Sequence, residues 1–210
     1  KAIQKEANRT KTRQKQQRKA QKEEAKASAP AKAPSSSDLW SVQCCDLHDG
    51  DIGPDSVDYI ITDPPYPKEH LEVFGGLAKA ATTWLKPGGS LLVMSGQSYL
   101  PDVMRLLTQH EALRYNWTLS YLTPGGQSAQ VWPRKVNTFW KPVIWLTKGE
   151  YSGDWIGDVV KSDVNDNDKD HHYWGQSESG MADLVYRFTY PGELVVDPFC
   201  GGGTTGVVAV

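Results

Sequence analysis

Residues 63–66 read Asp-Pro-Pro-Tyr and directly follow the apolar run "SVDYIIT", Ser56 to Thr62. Proline has no N–H to donate and restricts the residue before it, so a strand reaching this point must end there. It ends by presenting a carboxylate, two rigid carbonyls and an aromatic ring: Asp63, Pro64, Pro65 and Tyr66. Taken alone, the tetrad fits a rigid turn as well as it fits a reactive site. A second stretch, "VVDPFCGGGTTG" from Val195 to Gly206, runs strand, acidic residue, turn, three glycines and then helix. Glycines at such a junction reach backbone conformations closed to other residues and let a ligand approach the chain closely. The geometry suits a nucleoside cofactor held at a strand end and a helix N-terminus. No Gly-Lys-Ser/Thr follows, so it is not a Walker loop.

The elements around these stretches alternate between short apolar runs and helix-like segments, which predicts an α/β layer with a mostly parallel sheet. "LWSVQCC" (39–45) and "SVDYIIT" (56–62) read as strands. A helix over 71–85 is stopped by the "KPGG" turn at 86–89, followed by a buried strand over 90–96 and a helix over 100–110. Two aromatic runs, 113–122 and 138–149, are close enough in sequence to pair antiparallel. The polar, Gly-rich segment 123–136 separates them. Residues 150–174 have no clean period and read as a surface loop. Beyond them lie a helix over 180–190, a strand over 193–197 and the opening of another helix over 203–210.

Taken together, the two stretches resemble the amino-methyltransferases of DNA, which use S-adenosylmethionine to methylate adenine N6 or cytosine N4. Here "DPPY" precedes "DPFCGGGTTG", an order similar to the circularly permuted beta-class of that family. The resemblance covers roughly residues 39 to 210 and implies a Rossmann-like methyltransferase fold, mostly parallel with an antiparallel hairpin. It also implies S-adenosyl-L-methionine as cofactor and DNA as partner. An exocyclic amine is a poor nucleophile because its lone pair is delocalised into the ring. On this resemblance, Asp63 and the Pro64 carbonyl accept hydrogen bonds from the amine and favour a pyramidal nitrogen, Pro65 shapes the turn, and Tyr66 stacks on the extruded base. Asp at the first position of the tetrad leans towards adenine.

The same resemblance places Asp197, Phe199, Cys200, Gly201, Gly203, Thr204 and Thr205 around the methionine part of the cofactor. It maps Cys45, Asp46 and Leu47 to its adenine, and Gln176 and Ser177 to the segment closing over its carboxylate. Another reading makes Asp46 a turn residue and Gln176 with Ser177 a helix start. The strand whose acidic residue would hold the ribose is expected beyond Val210, between the 39–45 and 193–197 strands. Between Gly149 and His171 the insertion is short and acidic, which leaves target reading to the 123–136 segment, where Arg134 and Lys135 could meet phosphates or base edges, or to a further N-terminal domain.

Charge is distributed unevenly. Residues 1–33 carry 11 Lys/Arg and 3 Asp/Glu, leaving 12 of the 23 basic and 22 of the 25 acidic residues for the remainder. A basic tail and linker over 1–37, helical or disordered and able to contact phosphate, is thus expected before a catalytic domain over 38–210 that is incomplete at its C-terminal end. No apolar run is long enough for a membrane span. Three cysteines, two of them adjacent, point to reduced thiols and a soluble cytoplasmic protein. His171 and His172 stand far from any cysteine, so no metal is expected. Two other functions share parts of the pattern: methylation of a protein glutamine, which typically shows Asn where Asp63 stands, and a DNA-binding scaffold with a degenerate methyltransferase domain.

Overall fold

The computed structural model describes residues 39–125, 129–164, 166 and 176–210. The chain parts into two units, Lys1–Val42 and Gln43–Val210. The second unit is built on one six-stranded mixed sheet, in the order β7-β3-β6-β2-β1-β8. The strands are β1 (Val57–Thr62), β2 (Leu85–Met94), β3 (Leu113–Leu122), β6 (Trp140–Lys148), β7 (Val159–Lys161) and β8 (Val195–Val196). A separate hairpin joins β4 (Ala129–Val131) to β5 (Val136–Thr138). Four α-helices accompany them: α1 (Glu72–Trp84), α2 (Leu100–Leu107), α3 (Glu178–Phe188) and α4 (Thr204–Ala209).

The central strands are apolar on both faces because both faces are covered. Ile60, Leu91, Val93, Ile144 and Leu146 point into one core with Phe74, Leu77 and Ala78 of α1 and Val103 and Leu107 of α2. The alternate residues Ile61, Leu92, Met94, Val143 and Trp145 point into a second core with Met181, Leu184 and Phe188 of α3. A one-residue slip of any of these strands would exchange the two cores, so the double-sided pattern fixes the register. The buried Trp145 indole donates to Ser90 Oγ at 3.1 Å, which satisfies the one polar atom that ring takes inside.

Pairing of β1 with β2, β1 with β8 and β3 with β7 is parallel, whereas β6 runs antiparallel to both β2 and β3. The antiparallel pairing of the two aromatic runs is as expected, and β3 has the predicted bounds. Following the strand directions, one edge of the sheet collects the residues after β1, β2, β3, β7 and β8 together with the first residues of β6. Asp63, Gly96, Lys141 and Asp197 all lie on that edge. In open α/β sheets the crevice at the carboxyl ends of the parallel strands is where ligands bind.

Three expectations are corrected. Residues 39–45 form no continuous strand, only an isolated bridge at Ser41, and the sheet ends at β8. An apolar run becomes a strand only where an edge is available to pair with it, and here Leu39 and Val42 stay exposed. The surface loop over 150–174 contains a strand, β7, whose middle residue Val160 is fully buried against α3. The "KPGG" turn is the opening of β2 itself, with Gly88 at φ 87° and a register shift opposite Val57–Tyr59. His171 and His172 lie outside the described residues, as do residues 1–38; among the described residues no group of His, Cys, Asp and Glu has the arrangement of a metal site. No described helix is long and apolar enough to cross a membrane.

Gly89 shows how tightly β1 and β2 approach. A Cβ there would sit 2.9 Å from the Asp58 and Lys86 carbonyl oxygens and 3.2 Å from that of Val57. These are backbone atoms that cannot swing aside. Gly89→Ala should therefore lower stability by about 2 kcal/mol, seen as a lower midpoint in denaturant unfolding. An unchanged midpoint would show that the strands do not approach this closely.

Candidate active site

Asp63 is the first residue past β1 and lies partly buried, flanked by the buried Pro64 and the exposed Pro65. Its Oδ1 accepts from the Tyr66 hydroxyl and its Oδ2 from the side-chain amide of Gln176. Lys141, at the start of β6, holds its Nζ 3.9 Å from Oδ2, donates to Gln176 Oε1 at 3.2 Å, and lies 5.7 Å from the centroid of the Tyr66 ring. Burial raises the Asp63 pKa above the usual carboxylate value; the Lys141 charge and the Tyr66 hydroxyl pull it back down, while Asp197 adds to the rise. The Tyr66 hydroxyl is pushed well up by burial and by the neighbouring carboxylate, so it is a donor and not a phenolate. Behind the ring lies Gly96, where a Cβ would fall 3.3 Å from that of Tyr66. Only a glycine leaves the ring its full room.

The second stretch lies one strand away. Asp197 follows β8 and is surrounded by the chain's own donors. Thr62 Oγ1 donates to Oδ1 at 2.6 Å, Thr205 Oγ1 to Oδ2 at 2.6 Å, and the Phe199 N–H to Oδ1 at 3.1 Å. Burial raises its pKa, and these three donors oppose that rise. Asp197 thus braces the loop from within. The turn closes through a bond from the Gly203 N–H to the Cys200 carbonyl at 2.7 Å, with Gly201 at φ 51° and Gly203 at φ 86°. Both glycines take a left-handed conformation that other residues rarely adopt. A Cβ on Gly203 would meet nothing within 4 Å, so the loop faces open space. Thr204 is half-buried at the first turn of α4 and Phe199 packs on the first core.

The remaining predicted residues divide. Cys45, Asp46 and Leu47 enter a turn closed by the Asp49 N–H on the Asp46 carbonyl at 2.9 Å, with Leu47 packed on the first core. This segment reaches the glycine loop: burial, Asp197 and the nearby Cys44 all raise the Cys200 thiol pKa. Gln176 stands beside Asp63 and away from the glycines. Ser177 is buried at the N-cap of α3, its Oγ 2.6 Å from the Tyr121 hydroxyl, so it takes the helix-start role. Arg134 and Lys135 form the turn between β4 and β5. The Arg134 guanidinium donates to the Ser98 carbonyl at 2.8 Å, tying the hairpin to the segment after β2; Lys135, at φ 54°, is exposed. A cavity of about 480 Å³ lined by Trp117, Tyr151 and Trp155 shares no residue with the Asp63 cluster.

Sequence reasoning missed Thr62, Gly96 and Lys141. Thr62 was readable only as the last residue of a strand. Lys141 carried one faint signal, a lone charge before Pro142 in an otherwise apolar and aromatic run. The exposed Trp132 and Phe139 of the hairpin were likewise unmarked.

The family model N6_N4_Mtase, described as DNA methylase, matches residues 57–210. Among solved structures, PvuII DNA methyltransferase (cytosine-N4-specific) is similar at 21% identity over 76% of this chain and 73% of that one, with a TM-score of 0.63. The M1.HpyAVI–SAM complex shares 18% identity over 73% and 76%, with a TM-score of 0.59. The DNA modification methylase TTHA0409 from Thermus thermophilus, complexed with S-adenosyl-L-methionine, shares 15% over 76% and 77%, with a TM-score of 0.57. No curated protein sequence matches the chain. At these identities the structural likenesses establish the fold.

Asp197 gives the site a stability signature. Thr205→Val keeps the volume but removes one donor from a desolvated carboxylate, which should destabilise the protein by about 1–3 kcal/mol. The lost bond favours the ionised form, so its removal lifts the folded-state pKa further. The deficit should therefore be full at neutral and alkaline pH and shrink as pH falls through the carboxyl range. Unfolding curves of both proteins across pH check this; a deficit independent of pH would mean that Thr205 matters only for packing.

Proposed function

This chain belongs to the N6_N4_Mtase family of DNA methylases, and we propose that it transfers a methyl group from S-adenosylmethionine to the exocyclic amine of a base in DNA. Adenine N6 is the first target and cytosine N4 the alternative. One observation carries the reading: the Thr62–Asp197 hydrogen bond joins the strand tip bearing Asp63 to the glycine loop. Adjacent strands lie about 4.8 Å apart, so a group held at the loop and a base held at Asp63 are neighbours.

The residues present fit the proposed donor. Its loop offers backbone at two left-handed glycines, room above Gly203, and an apolar floor from Phe199 and Leu47. When bound, S-adenosylmethionine supplies an electrophilic methyl group on a sulfonium. Gly201, Gly203 and Thr204 would hold its amino-acid end, and the turn at Cys45–Leu47 its adenine. Proteins of the same fold solved with this donor, M1.HpyAVI and TTHA0409, support the assignment.

On the acceptor side the work falls to Asp63. A carboxylate acceptor draws the amine's hydrogens towards itself, so the lone pair turns out of the ring plane and the contact strengthens as positive charge builds on nitrogen. The Gln176 carboxamide now donates to Asp63 Oδ2 as a base amine would, and it must yield or share that oxygen. Tyr66 provides the stacking face, set at its depth by Gly96. The β4–β5 hairpin, with Trp132 and Phe139 exposed beside Lys135, gives the site edge an aromatic and basic rim for DNA.

Asp63→Ala should slow methyl transfer about a hundredfold or more while leaving donor affinity unchanged. Tyr66→Ala should lose base stacking of roughly 1–3 kcal/mol. Tyr66→Phe keeps the ring and gives up only the donor to Asp63, a loss of about tenfold. Nucleosides from DNA incubated with labelled donor, separated and weighed by mass spectrometry, report the rate and the modified base together. Near-normal transfer by Asp63→Ala would remove Asp63 from the chemistry.

A further inference from the structure

Asp63 stands in surroundings that oppose the charge it needs. The groups facing it are Tyr66 on its own turn, Gln176 ahead of α3, Asp197 after β8 and Lys141 on β6, with the Tyr121 hydroxyl behind Tyr66 on β3. Two of these, Tyr66 and Gln176, are neutral donors, and Asp197 repels. Among the described residues Lys141 is the cation within ion-pair distance of Asp63.

The backbone fixes that cation. Lys141 pairs with Tyr121 across the β3–β6 ladder, and Pro142 behind it holds the residue extended. The Pro142 carbonyl in turn accepts the Ser95 N–H at 3.1 Å, locking β6 to the end of β2. From this anchored Cα the side chain reaches across the site edge, its ammonium contacting Gln176 Oε1, Asp63 Oδ2 and the face of Tyr66. It therefore touches each of the three groups that define the acceptor side.

We propose that Lys141 is a positioning residue: its ammonium keeps Asp63 ionised, and so able to accept the target amine, within a desolvated site. Its place in the reaction rests on the reading of Asp63 as amine acceptor; its coupling to Asp63 does not. A half-exposed ion pair on a surface would do little, but here the carboxylate side is shielded from water.

The test is titration of Asp63 by carbon NMR in the full chain labelled at aspartate carboxyls, without donor or DNA, with Asp63→Asn identifying the signal. Lys141→Met and Lys141→Gln should each raise the Asp63 midpoint by about one pH unit or more. Lys141→Arg should leave it close to wild type. The acid limb of the methylation rate should move up with the midpoint in the neutral variants and be rescued by Arg. An unmoved midpoint in both neutral variants, or an equal rise with Arg, overturns the coupling. A moved midpoint with an unmoved acid limb overturns the role in the reaction. Absence of base methylation by the wild-type chain at every pH would count against the functional reading, and the NMR midpoints would still decide the coupling.

Discussion

A hydroxyl and a carboxylate hold the two halves of the site together. Thr62 is the last residue of β1, and its Oγ1 both donates to Asp197 Oδ1 and accepts from the Phe199 N–H at 3.3 Å. Asp63, the next residue, inherits its position from that bond. So does the glycine loop, whose first turn hangs from the same carboxylate through Phe199 and Thr205. An isolated buried carboxylate would be strongly destabilising, and three donors on two oxygens make it tolerable. The arrangement carries information because each donor comes from a different place: the tip of one strand, the turn, and the first helical turn beyond it.

The sheet makes this economical in residues. Parallel β8, β1 and β2 end together, and antiparallel β6 begins where they end. A single edge therefore receives Asp197 and Asp63 from strand ends, Gly96 from a third, and Lys141 from a strand start. Two apolar cores, one on each face, leave the sheet no freedom to slip and so hold these tips within ångströms of one another. The carboxylates Asp63 and Asp197 remain close enough to raise the Asp63 pKa, a tension relieved by Lys141 on one side and by the threonines on the other.

Much of this was legible because local chemistry and the global fold agree. The double proline marks the end of β1, the glycine triplet marks the turn into α4, and the period of the aromatic run gives β3 its observed bounds. What escaped is long-range. Residues 39–45 have the composition of a strand, but a strand is made by its partner, and none of the described sheet pairs along that run. Val159–Lys161 looks like loop because it is three residues long and flanked by acidic segments, yet β3 supplies an edge for it. Lys141 is invisible until the ladder sets it opposite Tyr121 and the chain brings Gln176 back from 35 residues away.

The central claim is that the glycine loop and the Asp63 carboxylate are two walls of one methyl-transfer site. A crystal structure of the chain with S-adenosylhomocysteine, the demethylated form of the donor, tests it most directly. The account predicts the amino-acid end of that molecule against Gly201–Thr204, with its sulfur turned towards Asp63 and within about 3–5 Å of where a base amine on that carboxylate would lie. Binding elsewhere, such as the cavity beside Trp117 and Trp155, or a sulfur turned away from Asp63, would contradict it.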